Sequence, residues 1–131
     1  MAAQPAAQGD AARRFAIEAA RLAANTRCHN VAVLDVRLTS PVTDYLVIVT
    51  GTSTRQMKSV ADQIEELSDQ ASNTPLSRAG DEGSSSWIVL DCFDVVVHLF
   101  TQEARLYYDL DGLWGDAQKV AWEATASAPT A

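Results

Sequence analysis

The sequence predicts a single small domain of the α/β class, in which helices combine with β-strands. The 131 residues match the usual length of one domain. Apolar residues make up 47% and charged residues 21% of the chain, which is typical of a globular protein. Short runs of β-forming residues alternate with segments of helical periodicity. No apolar run approaches the ~20 residues that a membrane helix needs, so we expect no membrane partner.

The N-terminal part of the chain is predicted to begin with a helix and to continue into two strands. Residues 1–8 are rich in Ala, Gln and Pro and are expected to be disordered. Asp10 can cap a helix over 10–27, where apolar residues recur at helical spacing. Residues 31–36 and 42–50 are rich in β-branched residues, which predicts two strands.

A second helix is predicted after Gly51-Thr52, which interrupts the preceding strand. Ser53 and Gln56 have the spacing of a capping box, in which each side chain binds a backbone N–H at the helix start. Asn73-Thr74-Pro75 is expected to end this helix. Between these limits runs an apolar stripe at three- and four-residue steps, formed by Met57, Val60, Ala61, Ile64 and Leu67.

The C-terminal part is predicted to contain two strands and one short helix. Residues 77–86 form a polar stretch rich in Gly and Ser, which we expect to be a loop. The β-forming runs 87–92 and 95–101 predict strands on either side of Phe93-Asp94. A short third helix is expected to start at Asp116 and run toward Trp122.

These two strands are expected to form a hairpin with Phe93-Asp94 as a two-residue loop. Residues opposite each other then share a face, and faces alternate along each strand. One face is wholly apolar and belongs in the core: Ile88, Leu90, Cys92, Val95, Val97 and Leu99. The other face is mixed: Trp87, Val89, Asp91, Val96, His98 and Phe100. On this pattern alone, the mixed face is either the centre of an interface or a surface covered by a helix.

The net charge and the two cysteines indicate which class of partner and which cellular compartment to expect. The net charge is −7 and the only lysines are Lys58 and Lys119, which argues against direct binding of nucleic acid phosphates. A basic partner suits the chain better, although mild acidity also simply aids solubility. The N-terminus lacks the apolar stretch of a secretory signal. We therefore expect a cytoplasmic protein with Cys28 and Cys92 reduced.

The sequence offers weak candidates for a metal site or a nucleophilic enzyme. Cys28 and His29 are adjacent and have no second ligand pair at zinc-finger spacing. A triad of Ser53, His98 and Asp91 lacks a nucleophile elbow, and helix capping is the simpler role for Ser53. We therefore predict no metal, no cofactor and no catalysis.

Two motifs, taken in order and at their spacing, resemble those of the Iojap or ribosomal silencing factor family. The first is Asp44–Ile48 followed by Thr50–Gln56. The second comprises Glu82-Gly83, Trp87, Asp91, Asp94–Phe100 and Arg105–Trp114. The resemblance extends roughly from the first helix to Trp122. We assign the domain to residues 9–124 and expect the tail 125–131 to be disordered.

Three positions depart from the family pattern. The family commonly has Tyr-Gly where this chain has Cys92-Phe93. Phe93 is unusual in a tight hairpin loop, where Gly or Asn is favoured at positive φ. Asp111 replaces a glutamate, and Leu46 replaces an aromatic residue.

The resemblance implies a mixed β-sheet with helices packed on it and a nucleotidyltransferase-like topology. It implies binding to the large ribosomal subunit through its ribosomal protein fourteen, with contacts to ribosomal RNA secondary. The bound factor would block joining of the small subunit and repress translation when nutrients are limited, without turning over a substrate.

The same resemblance implies a contact surface within the second motif. Trp87, His98 and Phe100 would form its apolar centre, as aromatic anchors commonly do. Polar contacts would come from Asp91, Arg105, Tyr108 and Asp109. Leu113 and Trp114 would either join the contact or anchor the segment, and burial in the core is the favoured role for both. A structural role is favoured for Tyr45 and Gly51.

Two alternatives remain open. Asp109-Leu110-Asp111 could hold Mg²⁺ in a nucleotidyltransferase-like enzyme, although no glycine loop with a basic residue is present to cradle phosphates. The mixed hairpin face could instead serve a homodimeric interaction module unrelated to ribosomes.

Overall fold

The computed structural model describes residues 3–72, 77–80 and 86–123. This part of the chain contains four helices and six strands. The helices are α1 (Ala3–Asn25), α2 (Thr54–Ser72), α3 (Gln102–Tyr108) and α4 (Leu110–Leu113). The strands are β1 (His29–Asp35), β2 (Tyr45–Thr50), β3 (Ser77–Ala79), β4 (Trp87–Asp91), β5 (Val95–Phe100) and β6 (Gln118–Lys119).

All six strands belong to one sheet, in the order β3-β4-β5-β2-β1-β6. The central pair, β2 and β5, is parallel, and every other neighbouring pair is antiparallel. All six residues of β2 are buried, because helices cover both faces of the sheet at its centre. The predicted α/β class with a mixed sheet is therefore confirmed. None of the described helices is long and apolar enough to cross a membrane.

One face of the sheet is covered by α1 and α2. The buried side of α1 is a stripe of small residues, which lets the helix backbone approach the strands closely: Ala12, Ala16, Ala19, Ala20 and Ala23. The predicted stripe of α2 is also confirmed, since Met57, Val60, Ala61 and Ile64 are fully buried and Leu67 is partly buried. These two helices close the larger of the two cores.

The opposite face is covered by the short α3–α4 segment. Ala104 of α3 and Leu110 of α4 are buried against this face. Together with residues from β1, β2 and β5 they form a second, smaller core that consists of Leu34, Val36, Leu46, Ile48, Phe100, Ala104 and Leu110.

The β4–β5 hairpin has the predicted register. Trp87 pairs with Phe100 and Asp91 with Val96, and the Cys92 N–H donates to the Val95 carbonyl at 2.8 Å. Phe93 has a φ of 78° in the resulting two-residue loop. The face predicted to be apolar is buried at every position, namely Ile88, Leu90, Cys92, Val95, Val97 and Leu99.

The start of α2 is capped much as predicted. Ser53 Oγ accepts the Gln56 N–H at 3.1 Å, which is one half of the capping box. Gln56 Oε1 accepts the N–H of Thr52 at 2.6 Å rather than that of Ser53. Gln56 Nε2 also donates to the Thr26 carbonyl at 2.7 Å, so the same side chain ties the end of α1 to the start of α2.

Several predicted elements differ from the structure. Helix α1 begins at Ala3, so Asp10 lies inside the helix rather than at its cap. Part of the predicted 77–86 loop is the edge strand β3, which pairs with β4. The helix predicted from Asp116 toward Trp122 is wrong. Residues 118–119 there form β6, which pairs with β1 at Leu34 and Asp35.

Three predictions concern residues outside the described ranges. They are the helix stop at Asn73-Thr74-Pro75, the middle of the 77–86 loop and the disordered tail at 125–131.

Candidate docking surface

Four aromatic rings from three elements meet at the end of the β4–β5 hairpin. The Trp87 ring lies at the centre, with ring-centroid distances of 4.4 Å to Tyr108, 5.0 Å to Phe100 and 5.8 Å to His98. Strands β4 and β5 supply Trp87, His98 and Phe100 from one sheet face, and α3 lays Tyr108 across them. We call these four residues the aromatic cluster.

A hydrogen bond orients the central indole. Trp87 Nε1–H donates to His98 Nδ1 at 3.0 Å, so this imidazole nitrogen must be an acceptor. Burial lowers the pKa of His98 from 6.5 to about 4, which keeps the ring neutral near pH 7. His98 therefore acts as a neutral partner for Trp87 rather than as a charged contact.

The structure corrects the predicted role of Phe100. Its side chain is fully buried, because α3 and α4 cover the end of β5 where it sits. Trp87 and His98 remain partly exposed. The mixed hairpin face is thus partly closed by the protein's own helices, and Phe100 supports the cluster from below instead of meeting a partner.

The exposed apolar surface lies on α3 and α4. The exposed fractions are 76% for Leu106, 81% for Tyr107, 45% for Tyr108 and 72% for Leu113. We call these four residues the α3–α4 surface. The expected burial of Leu113 is wrong, whereas Trp114 is partly buried against the second core. Leu106 and Tyr107 were missed from the sequence because α3 itself was not predicted, and helical positions decide which side chains face outward.

Arg105 holds the α3–α4 segment to the sheet. Its guanidinium binds the Asp111 carboxylate through two hydrogen bonds, Nε to Oδ1 at 3.2 Å and Nη2 to Oδ2 at 2.9 Å. Nη1 also donates to Thr50 Oγ1 at 3.0 Å and to the Asn30 carbonyl. This ion pair is the main cause of the lowered pKa of Asp111. The geometry makes Arg105 an internal brace, not the outward polar contact we predicted.

Asp109 forms the bend between α3 and α4. It ends α3 in the left-handed conformation, with φ of 50°, and its carboxylate accepts the Gly112 N–H at 3.1 Å. A Cβ at Gly112 would lie 2.4 Å from Asp109 Oδ2, so glycine leaves room for this contact. The bend directs Tyr107 and Leu113 outward on a short, well-braced segment.

The bend also affects whether Asp109 and Asp111 could hold Mg²⁺. The Asp109 carboxylate is engaged by the Gly112 amide, and Asp111 is paired with Arg105. A cation bound by both carboxylates would have to compete with these two contacts. Within the described residues, no group of three or more His, Cys, Asp or Glu side chains is placed to hold a metal ion.

The remaining residues from the sequence motifs have structural roles. Asp91 Oδ1 accepts the Phe93 N–H at 3.0 Å and so stabilises the hairpin loop. Tyr45 is buried in the core. Gly51 lies where a Cβ would be 2.3 Å from Met57 Cγ, so the close packing of α2 requires a residue without a side chain. The structural roles expected for Tyr45 and Gly51 agree with these positions.

Comparison with known proteins gives one consistent family. The family model described as "Ribosomal silencing factor during starvation" matches residues 9–131. The chain is 38% identical to ribosomal silencing factor RsfS of Bacillus subtilis over 93 residues, which cover 70% of this chain and 76% of that protein. It is 29% identical to the chloroplastic protein Iojap of Arabidopsis thaliana over 106 residues, or 81% of this chain and 44% of the plant protein.

Solved structures agree with the sequence matches. A crystal structure of a Chromobacterium violaceum protein superposes with a TM-score of 0.70 at 29% identity, covering 90% of this chain and 94% of the other. A Bacillus halodurans crystal structure gives a TM-score of 0.66 at 26% identity, covering 82% and 94%. The family resemblance carried by the two sequence motifs is therefore confirmed, and the chain belongs to the ribosomal silencing factor family.

Proposed function

We propose that this protein binds the large ribosomal subunit through the α3–α4 surface and blocks joining of the small subunit. Large-subunit ribosomal protein fourteen is the proposed contact, and repression of translation under nutrient limitation is the consequence. The proposal places the protein in the cytoplasm and involves no chemical turnover. The observation that carries it is the exposure of two tyrosines and two leucines on one short, braced segment.

The composition of this surface suits a protein partner. Tyrosine is enriched at the centres of protein interfaces, where a large ring is buried with little loss of side-chain freedom. Tyr107 and Tyr108 contact each other edge to face, with ring centroids 5.0 Å apart, so the two rings form one contiguous apolar surface. Exposed apolar groups clustered in this way mark interaction sites more often than isolated ones do.

The surrounding charge favours a basic partner. Glu103, Asp109 and Asp116 are exposed on or beside the same segment, and they outnumber the exposed Lys119 nearby. Arg105 cannot offset them at the surface, because its side chain is largely buried and paired with Asp111. A positively charged ribosomal protein would be attracted to this edge, which raises the association rate and sets the orientation of docking.

Binding tests the proposal directly. We expect co-sedimentation of the purified protein with isolated large subunits but not with small ones. Leu113→Ala and Tyr108→Ala should each weaken binding by about 2 kcal/mol, or roughly 30-fold. Leu38→Ala is the matched control, because Leu38 is 99% exposed and lies in the loop between β1 and β2 rather than on α3 or α4. It removes the same apolar side chain as Leu113→Ala and should leave the affinity unchanged.

A subunit-joining assay then tests the consequence of binding. Adding the protein to large subunits before small ones should lower the light scattering from joined ribosomes. The Tyr108→Ala variant, which binds more weakly, should lower the scattering less. Co-sedimentation with small subunits, or with neither subunit, would overturn the proposal. Equal affinities for Leu113→Ala, Tyr108→Ala and Leu38→Ala would remove the α3–α4 surface from the contact.

The two alternatives have separate tests. A homodimer formed through the aromatic cluster would appear in light scattering of the pure protein and disappear in Trp87→Ala. An enzyme would turn over a nucleoside triphosphate with Mg²⁺, and Asp109→Asn would abolish the activity. Loss of a dimer in Trp87→Ala would favour self-contact at the aromatic cluster, and turnover that Asp109→Asn abolishes would favour the enzyme.

A further inference from the structure

The charge of this acidic protein is unevenly distributed. The net charge of the chain is −7, yet residues 10–37 contain five arginines and three carboxylates, Asp10, Glu18 and Asp35. At physiological salt, charges farther apart than ~8 Å are largely screened from each other. The local surface around these arginines is therefore basic, whatever the total charge of the molecule.

Three of the arginines share one side of α1. With ~100° of rotation per residue, Arg13, Arg14 and Arg21 fall within an arc of about 100°. All three are exposed, while the alanine stripe on the other side of the helix packs on the sheet. They border a shallow cavity of about 330 Å³, together with Ile17 and Glu18. We call Arg13, Arg14 and Arg21 the α1 arginine face.

Nearby carboxylates do not cancel this charge. Asp35 is largely buried and is bound by Arg37, whose Nη2 donates to Oδ2 at 2.7 Å. This hydrogen bond is the main reason for the lowered pKa of Asp35, and Arg13 adds to the effect. Among the described side chains, Glu18 is the one acidic group that borders the cavity. Among the side chains that the structure describes, three guanidinium groups against one carboxylate leave the face positive.

The arginine face adjoins the segment that follows the α3–α4 surface. After α4 the chain forms β6 on the edge of the sheet beside β1. It then reaches Trp122, whose carbonyl accepts a hydrogen bond from Arg21 Nε at 2.7 Å. A large partner that meets α3 and α4 can therefore extend along the β1–β6 edge to α1.

We propose that the α1 arginine face contacts the phosphate backbone of RNA in the large subunit. This inference rests on the proposed docking to that subunit. Arginine suits the role because its planar guanidinium binds phosphate oxygens through two hydrogen bonds and stays charged at any physiological pH. Contacts of this kind position a protein on RNA without reading its sequence. The chain would thus bind protein with an acidic surface and RNA with a separate basic one.

The salt dependence of binding tests this inference. Affinity for purified large subunits is measured from 50 to 300 mM KCl for the unmodified protein and for Arg13→Gln/Arg14→Gln. Each lost phosphate contact should reduce the slope of log K against log salt by about 0.7 to 0.9, so the double variant should lose roughly 1.5. Arg55→Gln/Lys58→Gln is the matched control, because it removes two positive charges from α2 instead.

The outcomes separate this inference from the proposed function. A reduced slope in the α1 variant alone supports RNA contact. Normal binding with an unchanged slope, or an equal reduction in the α2 control, overturns the arginine contact and leaves docking intact. Failure of the unmodified protein to bind large subunits overturns the proposed function and this inference with it.

A second arm uses isolated large-subunit ribosomal protein fourteen, without RNA. The α1 variant should bind it with an unchanged slope. A reduced slope in this arm would mean that the arginines contact protein, which overturns the RNA assignment. Thermal unfolding of both double variants checks that the fold is retained.

Discussion

Replacing Phe93 with glycine should stabilise the protein. Phe93 occupies the first position of the two-residue hairpin loop with φ of 78°, and Asp94 after it does not share the positive φ. Two-residue hairpin loops favour glycine or asparagine where φ is positive. Phe93 has a Cβ, so its backbone is strained at this positive φ in a way that glycine would not be.

The expected stabilisation is the difference between two opposing effects, relief of backbone strain and loss of backbone freedom. A residue with a Cβ in the left-handed region is destabilised by about 1–2 kcal/mol relative to glycine. Glycine loses more backbone freedom on folding, which offsets about 0.5–1 kcal/mol of that gain. The Phe93 ring is 70% exposed, so its removal sacrifices little apolar burial. The Asp91–Phe93 hydrogen bond uses the backbone N–H and survives the change. We therefore expect a net stabilisation of roughly 1 kcal/mol.

Thermal and urea unfolding measure this effect. For a domain of this length, 1 kcal/mol corresponds to an increase in Tm of roughly 3–5 °C. Phe93→Ala is the control, because it removes the ring but keeps the Cβ that causes the strain. Equal stabilisation by alanine and glycine would refute the backbone explanation and assign the effect to the exposed ring.

Two further predictions concern stability. Because the pKa of His98 is about 4 when folded and 6.5 ordinarily, the unfolded chain takes up this proton first as the pH falls. The free energy of unfolding should drop between pH 6.5 and 4, by up to roughly 3 kcal/mol in urea titrations. A His98→Gln variant with the same pH profile would contradict this. Gly51→Ala should destabilise by about 1–3 kcal/mol, because its Cβ would overlap the buried Met57. The loss should shrink when Met57→Ala is also present, and full additivity would exclude the clash.

The hairpin could be predicted because its pattern is local. Alternation between Ile88 and Leu99 is enough to set the register and to identify the face that enters the core. The same alternation does not indicate which element covers the mixed face of the hairpin. Phe100 was therefore placed at an interface, although α3 and α4 bury it.

The elements that were missed depend on distant partners or on a single turn. Strand β3 has three residues and pairs with β4, and strand β6 has two residues and pairs with β1. Such short strands form because of these partners and not because of their own composition. Helix α3 has seven residues and one buried side chain, so it shows no apolar stripe. Its start does carry a readable feature, since Thr101 Oγ1 accepts the Ala104 N–H at 3.2 Å as an N-cap.

The candidate docking residues also divide into those that the sequence motif identifies and those that only the fold identifies. Trp87, Tyr108 and Leu113 could be named from the motif, and the structure leaves all three at least partly exposed. The bracing role of Arg105 could not be foreseen, because its partners Asn30 and Thr50 come from the other half of the chain.

The parallel β2–β5 pair has a consequence for biosynthesis. Tyr45 pairs with Val95, so the middle of the sheet joins two halves of the chain that leave the ribosome at different times. Folding of such long-range pairings must wait for the later segment. The brace beneath the tyrosines needs Asp111 as well. A nascent chain can therefore form the braced α3–α4 segment only after Asp111 has emerged from the ribosome.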